Sequence, residues 1–222
     1  MKQYNQIAGL GALLLAACLS GYALYELVLY PGAGFPTTDF AVIVAGANTL
    51  RVGHWLKFGY ALSLALLVVG WYPRMADTAP VLARLAVLAG TSAVVLFLAS
   101  GHLGLQILAI AEATYATNPS EAITTILLRT VTIALLETAT FAVGWYALLV
   151  NVAGIQARLL PRTLAFVGMV LGVLYIAEMF LPDTFLLIAP LASIGWDVWL
   201  AFFIWREQGS VPVRRGSSPS IN

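Results

Sequence analysis

Residues 82–110 read LARLAVLAGTSAVVLFLASGHLGLQILAI, and over that length the only formal charge is Arg84. At 1.5 Å per residue, a helix of this length more than crosses the ~30 Å hydrocarbon core of a bilayer. The stretch lacks the polar–apolar alternation of a barrel strand, and lipid accepts only backbones whose hydrogen bonds are met internally. It is therefore expected to be a transmembrane helix, and the same reasoning extends outward along the chain. Similar apolar runs lie at about 6–29, 52–72, 123–150, 163–181 and 184–205. The expected fold class is all-α, a polytopic integral membrane protein with six transmembrane helices. Composition agrees, since 9% of residues are charged, against about a quarter in soluble domains. With 222 residues used almost wholly on six spans, no soluble catalytic domain fits. Residues 1–206 are read as the membrane domain and 207–222 as a disordered cytoplasmic tail, polar and rich in Ser and Pro.

Charge is distributed unevenly between alternate loops. Lys2, Arg74, Arg84, Arg158, Arg162, Arg206, Arg214 and Arg215 fall in the two tails and in loops 2 and 4. The opposite loops carry Asp39, Glu112, Glu121 and Asp183, with Arg51 and Arg129 at their edges. The positive-inside rule then places both termini in the cytoplasm, with loop 1 (about 30–50) and loop 3 (about 111–122) outside. A single cysteine excludes an internal disulfide and a thiolate metal cluster. Leu15-Ala16-Ala17-Cys18 has the look of a lipoprotein cleavage box, but the following LSGYALYELVLY stays apolar. Cys18 is accordingly read as a small residue of the first span, with lipidation as the rival.

Pro31, Pro36, Pro73, Pro80, Pro119, Pro161 and Pro182 lie at or between span ends, and Pro190 inside the sixth span predicts a kink or unwound turn. Gly168-x-x-x-Gly172 permits close helix approach within the bundle. The order IAGLGALLL (7–15), LRVGHWLKFGYALSLALLV (50–68), LLPRTLAFVGMVLGVLY (159–175) and IGWDVWLAFFIW (194–205) resembles bacterial integral membrane proteins of the domain of unknown function 4386 family. The best pieces are Arg51-x-Gly53 and Pro161-Arg162. The resemblance implies a six-helix bundle in a bacterial cytoplasmic (inner) membrane. It implies no activity and carries over no catalytic residue.

Ionisable groups inside spans are costly and mark pathways or sites. Here they are Glu26, His54, Lys57, His102, Arg129, Glu137, Glu178 and Asp197, with Gln106 as a neutral companion. With alternating helix directions, Glu26, His54, His102 and Glu178 belong to the outer half, and Glu137 and Asp197 lie nearer the middle. An outward-facing polar pocket is expected, lined by Glu26, His54, His102 and Glu178, with Asp197 as a further candidate. Spans 2 and 3 should turn near Asp77-Thr78, which puts His54 and His102 at similar depth; His102 and Gln106 share a face at i, i+4. Two imidazoles at one level suit a metal ion, a proton relay or, with more room, haem b. The plain alternative is that each bonds a neighbouring carbonyl. Glu178 has Lys57 or Arg51 as candidate partners, and a structural ion pair serves as well as chemistry. Glu137 and Asp197 suit proton coupling, or a bond to a helix neighbour.

Three functions remain open at this stage. The first is binding or translocation of a small solute or ion with proton coupling through Glu137 and Asp197. The second is a metal- or haem-dependent oxidoreductase using His54 and His102. The third is a structural or partner-binding membrane subunit, in an oligomer or a larger complex. The partners these readings imply are the lipid bilayer, a small solute or ion, and an oligomer or membrane-complex partner; nothing suggests nucleic acid, because the basic residues are topogenic loop charges.

Overall fold

The structure, a computed structural model, describes residues 2–29, 44–114, 121–180 and 188–209. Helix α1 (Lys2–Leu24) runs into a π-helical turn (Tyr25–Leu29). There follow α2 (Ala47–Ala76), α3 (Pro80–Thr114), α4 (Glu121–Gln156), α5 (Arg162–Glu178) and α6 (Ile188–Gly209). No strand occurs among the described residues, so the chain is an all-α bundle. Five segments have the length and apolar composition to cross a membrane: Gln3–Val28, Ala47–Ala76, Pro80–Thr114, Leu128–Gln156 and Ile188–Arg206. At 17 residues, α5 sits at the lower limit for a span.

Each helix packs against its neighbours in sequence, and α1 also packs against α6, so the bundle is a ring closed in chain order. Short connections at 77–79 and 157–161 force α2/α3 and α4/α5 to run antiparallel. Elsewhere the contacts set the direction: Gly11 lies on Ser63 and Leu67 while Gly21 lies on Leu56, and Gly9 meets Trp205. Alternate helices therefore oppose one another. The start of α1, both short turns and the end of α6 share one end of the ring. Arg74, Arg84, Arg158, Arg162 and Arg206 cluster there by position.

The packing is that of a lipid-embedded bundle. Leu62, Val69, Leu88 and Phe202 face outward, each more than half exposed, whereas Leu64, Trp71, Leu164, Leu200 and Ile204 are buried. Lipid supplies no hydrophobic drive between helices, so association relies on close van der Waals fit, which small residues allow. Ala8, Ala12, Ala61, Ala83, Ala86 and Ala93 are fully buried. A Cβ on Gly172 would come within 2.8 Å of the Gly144 carbonyl oxygen, so Gly168-x-x-x-Gly172 is spent on the α4–α5 contact inside the bundle. The Trp196 indole donates to the Leu164 carbonyl at 3.0 Å and ties α6 to α5.

Pro190 falls in the first described turn of α6, and residues 181–187 before it lie outside the described residues. Pro73 lies in the last turn of α2, Pro80 opens α3, and Pro161 precedes α5. Pro31, Pro36, Pro119 and Pro182, with Asp39, Asp183 and the tail from 210 onward, lie outside the described residues.

Candidate functional site

A cavity of about 330 Å³ opens at the end of the ring opposite the basic cluster. Every helix contributes to its wall: the last turns of α1 and α5, the second half of α3, the first half of α2, the middle of α4 and Pro190 at the start of α6. Between apolar side chains such as Phe97 and Leu108 it presents Glu26, His54, Lys57, Arg129, Glu137 and Glu178. At α1 the π-helical turn widens the backbone by one residue per turn and brings Tyr25 and Glu26 to the lining.

Individual placements follow from what faces each side chain. The His54 ring packs where residue 104 of α3 would carry a Cβ, so glycine at that position gives the imidazole its seat. Its Nδ1 is buried without a hydrogen-bond partner among the described residues. The Lys57 ammonium donates to Ser100 Oγ at 3.1 Å, and Ser100 donates to the Thr132 carbonyl at 3.0 Å. One lysine thus links α2, α3 and α4. Glu178 is 7% exposed. The Ala189 backbone amide in the first described turn of α6 lies against its carboxylate, and Oε1 has no partner among the described residues. Arg51 pairs with Glu112 across the α2–α3 rim and donates to Asn48 Oδ1 at 2.7 Å.

Of the residues expected in a pocket, Glu26, His54, Glu137 and Glu178 come together on this one lining. His102 and Gln106 do not: both are exposed on the outer side of α3. That helix turns Ser100, Gly101, Gly104, Leu108 and Ala111 inward, and close packing selects this face of mainly small side chains over the polar one. His54 and His102 therefore do not share a lining, although the turn between their helices falls at Asp77-Thr78 as expected. Neither Lys57 nor Arg51 forms an ion pair with Glu178 among the described residues, because Ser100 and Glu112 engage them instead. Asp197 is 1% exposed and lies in a separate, smaller chamber. No group of three or more candidate metal ligands occurs among the described residues.

The family model for a domain of unknown function (DUF4386) matches residues 7–205 of the chain. The chain belongs to the DUF4386 family. No curated protein and no solved structure matches it. In this DUF4386 protein the match reaches all six helices and includes every residue that lines the cavity. The Arg51-x-Gly53 piece has a visible structural use. Gly53 lets the Tyr25 ring lie on α2, where a Cβ would stand 2.8 Å from Tyr25 Cζ.

Sequence reasoning placed neither Lys57 nor Arg129 in the site, although both were recognisable as charges within spans. The available signal was Lys57 at i+3 from His54, on the same helical face. Tyr22, Tyr25, Tyr60 and Tyr175 also line the cavity and carried no signal. Tyrosines are common in spans, and only the fold shows which of them turn inward.

Proposed function

We propose that this DUF4386 protein binds a small solute bearing both polar and apolar parts within the membrane and moves it across. Carboxylates of the cavity exchange protons during the movement. One observation carries the reading. A cavity of about 330 Å³ is lined by two basic and three acidic side chains in a bundle whose core is mainly apolar. Its size falls in the range of pockets that accept small molecules, roughly 300–1,000 Å³. Ionisable groups within a span cost several kcal/mol and persist where they line a path or a site. Lys57 and Arg129 suit an anionic group of the solute, Glu26 and Glu178 a cationic one, and Phe97 and Leu108 its hydrocarbon. A subunit that only packs against partners has no use for this set.

In this proposal the protein lies in a bacterial cytoplasmic membrane with both termini inside, so that the cavity opens outward. Basic residues at the opposite end of the ring support that orientation. The test uses the full chain in nanodiscs and thermal unfolding against a panel of amino acids, short-chain carboxylates and amines. At least one member should stabilise the wild-type protein. The gain should vanish in Lys57→Met and in Ile133→Trp, which adds bulk to the lining. If no compound stabilises the wild type more than Ile133→Trp, the solute reading is wrong.

A further inference from the structure

A second chamber, of about 30 Å³, lies against Asp197 on α6. Tyr60, Val143 and Tyr175 line both it and the larger cavity, so these side chains stand between the two spaces. Four buried polar atoms of the residues that line it have no hydrogen-bond partner among the described residues: Asp197 Oδ2, the Tyr146 and Tyr175 hydroxyls and the Trp71 indole nitrogen. The Tyr175 hydroxyl lies beside those of Tyr60 and Ser193 without closing a bond of normal geometry.

Buried polar groups are almost always paired with protein or ordered water, and an unmet one costs about 1–3 kcal/mol. Four around one chamber call for a common occupant. Trp71 can only donate, and Asp197 as a carboxylate can only accept, so the occupant must do both. A cation would meet the carboxylate but be repelled by the indole N–H. Water satisfies all four, and the space suits one or two molecules at about 10–15 Å³ each.

We propose that this chamber is an internal proton-binding site, in which water joins Asp197 to Tyr146 and Trp71 and protons arrive from the large cavity along the Tyr60–Tyr175 hydroxyls. A hydronium in the cavity gives a proton to the Tyr175 oxygen as that hydroxyl releases its own proton to the chamber water. The water passes one of its protons to Asp197 Oδ2. Each relay oxygen ends with the hydrogens it began with; one O–H bond is broken on the hydronium and one is formed on Asp197. The reverse sequence returns the proton. Facing Asp197 are Tyr60 from α2, Tyr146 from α4, Tyr175 from α5, and Ser193 on its own helix, while α1 presents Leu15. Among the described residues no lysine, arginine, histidine or second carboxylate lines the chamber. Arg74 stands over the Trp71 ring, 4.6 Å from its centre. The inference rests on the proposed function only in treating the large cavity as open to water.

The test is infrared difference spectroscopy of the full chain in nanodiscs, acid against alkaline. A carboxylic C=O band at the high frequency of an apolar site should titrate, and should shift when aspartate is labelled with carbon-13 at the side-chain carboxyl. The chain has four aspartates, and Asp39, Asp77 and Asp183 fall between spans. Asp197→Asn should lack the band. Tyr175→Phe should keep it but slow its appearance after a pH jump by tenfold or more. A wild-type spectrum with no label-sensitive band overturns the site, and a Tyr175→Phe rate equal to wild type overturns the route. If Asp197→Asn does not fold, the labelled wild-type spectrum decides alone. The solute panel is independent, so either proposal can fail while the other stands.

Discussion

His54 reaches the cavity because residue 104, across the α2–α3 interface, has no side chain. Gly104→Val should expel the ring and destabilise the protein by about 1–3 kcal/mol, the usual cost of overpacking a close contact. It would be read as a lower midpoint in thermal unfolding, with loss of solute stabilisation. His102→Leu should stay within about 0.5 kcal/mol of wild type, as exposed positions without specific contacts do. It should also leave solute stabilisation intact. His54→Leu should abolish that stabilisation, so an equal response of the two variants would contradict the placement. At this scale the sequence locates the ionisable residues within helices but not the face each one takes. His102 and Gln106 share a face, as their spacing requires, yet the same helical period runs through Gly101, Gly104, Leu108 and Ala111. A pattern read from one chain cannot tell a polar stripe turned inward from a small-residue stripe turned inward. Steric fit decides, and it depends on the neighbouring helix.

The α4–α5 corner shows two element-scale demands. Gly172 meets backbone on α4, so Gly172→Leu should separate the helices and cost about 1–3 kcal/mol or more. Arg158 closes α4 with φ 54°, and the Leu159 amide donates to the Gly154 carbonyl at 2.8 Å. The left-handed region penalises any residue with a Cβ, and glycine is the usual occupant after a helix end. Arg158→Gly should therefore raise the unfolding midpoint, a gain of about 0.5–1 kcal/mol. Helix ends were legible where proline and loop charge agree, as at Pro80 and Pro161. The turn at Tyr25–Leu29 was not, because an inserted residue in a helix leaves hydropathy unchanged and shows only in the backbone.

At the scale of the molecule, orientation is the open expectation with a direct readout. Reporter fusions at Thr78 and Arg158 should report cytoplasm, and one at Asn118 the outside. The reverse pattern would turn the cavity inward. Six apolar runs separated by short polar links foretold antiparallel neighbours, since a short loop leaves no other choice. That α1 and α6 also meet was not legible, because no local signal relates the two ends of a chain. This contact governs how the protein is made. Helices leaving the ribosome in order can each dock on the one just inserted, so five of the six interfaces form as synthesis proceeds. The seam between α1 and α6 must wait for the last helix, and until then the flank of α1 bearing Gly9 faces lipid or a chaperone. A stalled chain lacking α6 should therefore be the species that quality-control proteases remove, with pulse–chase lifetime as the measure. Restoring residues 188–209 as a separate helix should rescue it.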